Sequence, residues 1–376
     1  MDQKTTVTLL ELAAKSLLNN EPAAIHALDE IPRDLFVPLF KASFSGGHKM
    51  MVKAMVRVWP FRCLHIGSLN TQEAYYDILE AMIDGLQILP AQNSSSCKVQ
   101  QNFGSLHLCC RDLQIDRMSA HKAILQFLDL GCINHLEIDQ ANLNEVITLL
   151  PRVIHLNSLS LCNILFKTYK RRKIRSFLLC LRRLDNLHEL SLSFFCFTDQ
   201  LHTLLRVLPP QLDALCLPFC SLSHRDVTVL SQSSQATRLR VLSLSNNHIF
   251  SEVYEPFQTL LEKVSSTLQH LEINNCTITD STLSAILPAL SHCTHLRVLS
   301  FAHNPITMPV LKSFLQHLTP LMMLKYVTYP VPVHCYEEWN FPDTLDRQKL
   351  AEVQAQLEEM LHRAQREDMN WVSCSE

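Results

Sequence analysis

The chain has 376 residues, 47% apolar and 18% charged, enough to bury one large core or two ordinary ones and too apolar for a disordered chain. Thirty-three Lys and Arg against thirty-six Asp and Glu leave a net charge of −3, too balanced for a binder driven by nucleic-acid or membrane electrostatics. Six glycines occur and none follows Gly131, so the glycine-rich phosphate loops and dinucleotide turns of most nucleotide enzymes are not expected.

At the N-terminus, Asp2, Lys4, Glu11 and Lys15 interrupt any cleavable apolar run, and no stretch approaches the roughly 18 apolar residues of a membrane span. A protein of the cytoplasm and nucleus is expected, with its fourteen cysteines reduced and many of them buried as small hydrophobes. Thr8-Leu-Leu-Glu11 reads as a capping box opening a helix on which Leu9, Ala13 and Leu17 form one apolar stripe with a small residue at its centre. Thr8, Leu9, Ala13 and Leu17 resemble the BC box, the short helix by which substrate receptors dock elongin C, with alanine where cysteine is frequent. Further on, Ile31, Pro32, Leu35 and Leu39 resemble the cullin-2 box, Pro32 starting a helix that presents Leu35 and Leu39 together. A plain helical cap for the first repeat accounts for both patterns equally. Ile31-Pro-Arg-Asp-Leu-Phe36 with Trp59 also fits an F-box, which would select Skp1 and cullin-1 instead.

Repeats follow. Loose copies begin at Phe61, Phe103, Ile133, Leu156 and Leu187, the last read with one extra residue before Cys196, and an outlying copy begins at Leu324. Between them, L-x-x-L-x-L-x-x-(N/C)-x-L recurs every 27 to 29 residues from Leu212, Leu239, Leu268 and Leu296. Each unit opens with a short strand whose alternate side chains, such as Leu215 and Leu217, point inward. The ninth residue (Cys220, Asn247, Cys276, Asn304) sits where the chain turns away and can satisfy turn backbone groups. The rest of each unit is helical, as in the capping-box start Ser223-His-Arg-Asp226, or Pro309 followed by Leu311, Phe314, Leu315 and Leu318.

This predicts an α/β fold, a leucine-rich-repeat solenoid of horseshoe form with ribonuclease-inhibitor-like repeats, an N-terminal helical cap and a C-terminal capping helix. Residues 1–60 are assigned to the helical segment, 61–335 to the repeats and 336–376 to the C-terminal cap, where Leu350, Val353, Leu357, Leu361 and Ala364 recur at helical spacing.

Such a solenoid offers its strand face for binding. The outward positions there include Glu137, Asp139, Glu189, His270, Glu272, Asn274 and Tyr326, with Ser243, Ser245, Ser300 and Ala302 as small open positions between them. Acidic clusters near both ends predict a protein or basic-peptide client rather than nucleic acid. No catalytic set, cofactor or metal is expected: there is no C-x2-C pair, and His292-Cys293-x-His295 lacks a partner pair at zinc spacing. Lys170-Arg-Arg-Lys173, with Lys167 and Arg175, fits either a nuclear-import run or a solvated outer helix. Leu201-His-Thr-Leu-Leu205 fits the L-x-x-L-L spacing of a nuclear-receptor box, yet lies where a repeat helix must bury its leucines.

The chain resembles the PRAME family (preferentially expressed antigen in melanoma and its relatives). The resemblance rests on Leu9-Leu-Glu-Leu-Ala13 with Ser16-Leu-Leu18, Ile31-Pro-Arg-Asp-Leu-Phe36, and Lys53-Ala-Met-Val56 leading to Trp59-Pro-Phe-Arg-Cys-Leu64. Further along it rests on Arg240-Val-Leu-Ser-Leu244, Thr267-Leu-Gln-His-Leu271, Leu290-Ser-His-Cys293 and Tyr329-Pro-Val-Pro332. It implies a leucine-rich-repeat horseshoe and, from the founding member, recruitment of elongin B/C and cullin-2 to a ubiquitin ligase, with transcriptional repression as a further role. The founding member's cysteine-rich tail has no counterpart before Cys374-Ser-Glu376, so nothing that tail does is carried over. The functional expectation is therefore a non-enzymatic substrate receptor, with a pure binding module (a corepressor regulating differentiation, proliferation and apoptosis, or an inhibitor of the ribonuclease-inhibitor type) as its rival.

Overall fold

A computed structural model describes residues 8–70, 73–87, 106–119, 124–165, 171–250, 253–336 and 345–374. Asp2, Lys4, Phe103, Lys167 and Lys170 lie outside the described residues. The chain divides into two compact units, Met1–Ile138 and Asp139–Glu376.

In the first unit, helices α1 (Leu9–Leu18), α2 (Glu21–His26), α3 (Arg33–Ser45) and α4 (Lys49–Arg57) precede β1 (Cys63–Asn70), α5 (Glu73–Gln87), β2 (His107–Ile115), α6 (Ile124–Phe127) and β3 (His135–Asp139). The capping box opening α1 is formed: the Glu11 amide donates to Thr8 Oγ1 at 3.3 Å and the Thr8 amide to Glu11 Oε2 at 3.0 Å. The core is apolar side chains of α3 and α4, among them Phe36, Leu39, Phe40, Met51, Met55 and Val56. Trp59 stands edge-on to Phe36 and Phe40, ring centroids 6.0 and 5.3 Å away. His48 does not cap α4 with its own side chain; Glu21 does so from α2, accepting the Met51 amide at 2.9 Å and lying 3.1 Å from His48 Nδ1. Helix α5 comes close to α4, where Lys53 Nζ meets Asp84 Oδ2 at 2.7 Å. Gly85 permits this approach, since a Cβ there would stand 2.8 Å from the Lys53 carbonyl oxygen.

Strands β1, β2 and β3 run parallel, with Leu64 beside Leu108 and Leu113 beside Leu136. The β1–β2 register slips and recovers: His65 pairs with Cys109 and Gly67 with Cys110, so Ile66 bulges, and Ser68 then pairs with Asp112, so Arg111 bulges in turn; Gly67 between them takes a positive φ of 70°.

The second unit is a leucine-rich-repeat solenoid. Its parallel strands are β4 (Ser158–Cys162), β5 (Glu189–Leu192), β6 (Ala214–Cys216), β7 (Val241–Ser243), β8 (His270–Glu272), β9 (Val298–Ser300), β10 (Tyr326–Pro330) and β11 (Asn370–Cys374). The helices are α7 (Leu143–Leu149), α8 (Arg171–Leu181), α9 (Leu201–Leu205), α10 (His224–Ser231), α11 (Glu255–Val264), α12 (Asp280–Ser291), α13 (Met308–Leu318) and α14 (Arg347–Arg363). Register is held by one row, Leu159–Leu190–Leu215–Leu242–Leu271–Leu299–Val327, each residue beside the next and all buried. Each such leucine contributes about 2 kcal/mol of burial. A one-residue slip would turn the whole row outward.

The ninth repeat positions serve the turns. Asn247 Oδ1 accepts the Cys220 and Leu222 amides at 3.0 and 2.9 Å, and its Nδ2 donates to the Leu217, Leu244 and Ser245 carbonyls. Asn304 does the same for the Cys276 and Ile278 amides, both at 3.0 Å. Cys220 and Cys276 are core thiols that donate to the Leu192 and Leu244 carbonyls at 3.1 and 3.3 Å. Burial pushes both thiols up to about 12. The repeat at Leu187 needs no extra residue: Phe195 takes the ninth position and is buried with Phe197, while Cys196 is exposed.

The capping box at Ser223 reaches further than its own helix. Asp226 is buried; its Oδ2 accepts the Ser223 and Asp199 amides at 3.0 and 2.9 Å, and Oδ1 accepts the Leu201 amide at 3.0 Å. One carboxylate thus caps α10 and the preceding α9.

At the C-terminal end, α14 buries Leu350, Val353, Leu357 and Leu361, whereas Ala364 is its exposed C-cap. The chain then adds β11, which pairs with β10 and was not legible as a strand. Buried Arg366 turns its guanidinium onto the carbonyls after α13, those of Thr319, Leu321 and Leu324. Asp368 holds that guanidinium from the other side at 2.8 Å and also pairs with Lys325.

Candidate functional site

Three surfaces bear on binding. The first is α1. The helix packs on α3, and Ala14 is its buried side chain. Leu9 is 84% exposed; Leu10, Leu12, Thr8 and Ala13 are exposed too, and Leu17 is half-buried. The capped start of this helix therefore turns Leu9, Leu10 and Leu12 away from the rest of the unit, while Leu17 and Leu18 at its end are half-buried.

The second is α3, and it corrects one expectation. Pro32 is the exposed N-cap residue and Leu35 and Ile31 are half-buried, but Leu39 is 0% exposed and belongs to the core. Its position one turn beyond Leu35 rotates it inward with Phe36 and Phe40, so Leu35 and Leu39 are not presented together to a partner. The outward apolar residue of this helix is Val37. Val37, Phe40, Phe44, Trp59 and Phe61 line an apolar pocket of about 650 Å³. It is not legible in the sequence because its walls come from α3, from Trp59 and Phe61, and from β1, where Cys63 to Gly67 complete it.

The third is the strand face. In the first unit Glu137 is exposed on β3. In the second, Asp139 accepts from Asn163 Nδ2 at 2.8 Å, Glu189 is exposed and Tyr326 is 56% exposed. His270 and Glu272, neighbours on one side of β8, meet at 2.8 Å, and this hydrogen bond holds the Glu272 carboxyl below its ordinary range against the opposing effect of burial. Glu189 and Glu272 both act on Cys216 between them, adding to the burial that pushes its thiol up to about 11. The middle of this face is acidic.

Ser243, Ser245, Ser300 and Ala302 are buried rather than open. Asn274 is responsible on one side: its amide donates to Ser245 Oγ at 3.1 Å, while its Oδ1 accepts from Ser300 Oγ and the Ala302 amide, both at 2.7 Å. Asn274 is thus committed to a network within the sheet and is only half-buried. On strands this short, larger neighbours roof over small side chains, an effect that strand alternation alone does not reveal.

A further pair was missed. Phe194 and Phe219, in the turns after β5 and β6, are 47% and 44% exposed and stack at 4.6 Å with an interplanar angle of 11°. Both take positive φ, 65° and 56°. The equivalent turn residues Asn246, Asn275 and His303 do likewise, and Asn suits that conformation whereas a bulky aromatic does not. The signal was present in the sequence as phenylalanine at the turn position where two later repeats carry asparagine.

Leu201, Leu204 and Leu205 are buried in their own repeat, so the receptor-box reading fails. Lys173 is half-buried and Arg175 exposed on α8. Cys293 is fully buried, its thiol pushed up to about 12 by burial. Among the described residues, no helix is long and apolar enough to cross a membrane.

Comparison with known proteins follows this geometry. The family model of the PRAME N-terminal domain matches residues 6–114 and that of the PRAME C-terminal domain residues 94–375. The chain is 30% identical to human PRAME family member 20, over 100% of this chain and 96% of that protein. It is 28% identical to mouse leucine-rich repeat-containing protein 14, over 97% of each. Among solved structures, an internalin (inlF) from Listeria monocytogenes aligns with TM-score 0.35 and 15% identity, over 73% of this chain and 63% of that one.

Proposed function

This chain belongs to the PRAME family, and from that premise we propose that it is a non-catalytic adaptor of a cullin-2 ubiquitin ligase. Elongin B/C docks on the outward face of α1 through Thr8, Leu9, Ala13 and Leu17. Cullin-2 engages the exposed start of α3, at Ile31, Pro32 and Leu35, with Val37 in the place first given to Leu39. A protein client with basic character lies on the strand face of the second unit, near Glu189, His270, Glu272 and Tyr326. Holding the client beside a ubiquitin-charged partner supplies the rate gain by proximity. Transcription regulators are the client class proposed, in the cytoplasm and nucleus.

The observation that carries this reading is the outward display of Leu9 on a capped helix. Reconstitution with purified elongin B/C tests it. Leu9→Asp removes about 2 kcal/mol of leucine burial from the contact, a loss of about 30-fold in affinity. The substitution leaves the fold intact, because Leu9 touches little of its own chain. Binding unchanged by Leu9→Asp sinks the docking assignment, and capture of Skp1 in its place would select the F-box reading.

A second reading, a leucine-rich-repeat binding module acting as a corepressor without a ligase, is favoured by the stacked pair Phe194 and Phe219. Aromatic anchors of this kind concentrate binding energy and need no adaptor. Joint substitution of both by alanine abolishes client capture in this second reading and spares it where the client lies at Glu189, His270, Glu272 and Tyr326, and elongin B/C binding separates the two as well.

A further inference from the structure

Three segments far apart in the sequence bring thiol, imidazole and carboxylate groups together in the first unit. Strand β1 supplies Cys63 and His65, two residues apart and so on one face. Strand β2 supplies Cys109, which pairs with His65 in the register. The turn before β3 supplies Asp129 and Cys132. The ligand atoms of Cys63, His65 and Cys109 lie within 4.8 Å of one another, as do those of Cys109, Asp129 and Cys132. The two triads share Cys109.

From this convergence we propose that the first unit holds a structural zinc ion, ligated by Cys63, His65, Cys109 and Cys132, with Asp129 beside Cys132. Each triad is one donor short of the four that a closed tetrahedral site requires; Cys132 stands with Cys109 in the second triad and not in the first, so the ion draws it in toward Cys63 and His65 to complete the set. Thiolate and imidazole are the donors that zinc selects. Two sulfurs on a tetrahedral ion with Zn–S of about 2.3 Å stand about 3.8 Å apart; Cys109 and Cys132 already lie 3.4 Å apart, well beyond the length of a disulfide bond. Asp129 Oδ2 is 3.5 Å from Cys132 Sγ, while its Oδ1 accepts the Gly131 amide and fixes the turn.

The backbone is irregular at this point. Bulges in a parallel pair are uncommon, and here the register slips directly after His65 and recovers after Gly67, which takes a positive φ. Cys109 is buried, and it is the residue that the two triads share. Binding releases the thiol protons and involves no change of oxidation state.

The test uses the full-length chain purified under reducing conditions without added metal. Elemental analysis is expected to find about one zinc per chain, and replacement by cobalt to give the thiolate charge-transfer and tetrahedral ligand-field bands. Cys109→Ser loses the metal. His65→Ala and Cys132→Ser, at less buried positions, each remove a ligand and are purified without stoichiometric zinc, and Cys196→Ser, an exposed cysteine of the second unit, keeps it. Chelator lowers the melting temperature of the wild-type chain and not that of Cys132→Ser. A chain that takes up no zinc when titrated, or whose zinc content is indifferent to Cys109→Ser and Cys132→Ser, overturns the site. So does a Cys109–Cys132 disulfide found by mass spectrometry in the reduced preparation.

Discussion

Replacing Asn247 by alanine tests the logic of the repeat turns most directly. The carboxamide is buried, and its Oδ1 is the acceptor for two buried amides, those of Cys220 and Leu222. Alanine orphans both, and a buried donor left without a partner costs about 1–3 kcal/mol, which places the loss at about 2–6 kcal/mol. The carbonyls of Leu217, Leu244 and Ser245 lose the Nδ2 donor as well, so a value near 4 kcal/mol is expected. Urea unfolding followed by circular dichroism reads it as a lower midpoint with an unchanged slope. Hydrogen exchange should quicken at the Cys220 and Leu222 amides first. Asn304→Ala, with the same pattern toward Cys276 and Ile278, should match it within about 1 kcal/mol. A loss below about 1 kcal/mol for both variants would refute the claim that this side chain, rather than the leucine row, completes the turn.

Gly85→Ala in α5 should destabilise the first unit by about 1–3 kcal/mol in the same assay, because the new methyl meets the Lys53 carbonyl oxygen at 2.8 Å. Arg366 and Lys325 hold the Asp368 carboxyl well below the usual carboxylate range. A depressed folded-state pKa stabilises above the unfolded value of about 3.9 and loses that contribution as pH falls through and below it. Asp368→Asn should therefore lower the melting temperature at pH 7, with the difference from wild type narrowing below about pH 4; a difference independent of pH would contradict this. Under brief treatment with a thiol reagent, exposed Cys196 should be labelled in the native protein, while Cys220, Cys276 and Cys293, with thiols pushed up to about 12, react only after unfolding, as peptide mapping would reveal.

Where one residue's role is set by its own repeat, the sequence was enough to read it. Leu215, Leu242, Leu271 and Leu299 recur in step, and the capping boxes at Thr8 and Ser223 are formed as their spacing predicts. What escaped is what depends on the neighbour. Asp226 caps a second helix, Glu21 caps α4 from across the unit, and Arg366 serves carbonyls more than forty positions away. The same distinction governs the candidate sites. Leu9 faces solvent as an amphipathic stripe with no partner helix would, whereas Leu39, which the resemblance to a cullin box places at a surface, is claimed instead by the aromatic core around Trp59. The cysteine one place beyond Phe195 suggests an extra residue in that repeat; the ladder position accepts a ring instead, since Phe177 and Phe197 stack on Phe195 at 5.5 and 5.8 Å.

The alternation of asparagine and cysteine along the turns leaves unequal joints between successive repeats. Asn247 rivets the Leu212 repeat to the Leu239 repeat, and Asn304 rivets Leu268 to Leu296, each through two amides and the carbonyls opposite. Between these couples the ninth-position contact is a single sulfhydryl donor, from Cys276 to the Leu244 carbonyl. Because a solenoid coheres only through nearest neighbours, that joint rests on scattered side chains instead: Asn275 Nδ2 donates to Asn246 Oδ1 at 2.9 Å, the Thr267 hydroxyl to the Leu239 carbonyl at 2.7 Å and Gln258 Nε2 to the Ala285 carbonyl at 2.6 Å, so the stack is stitched there at several points where its neighbours are fastened at one.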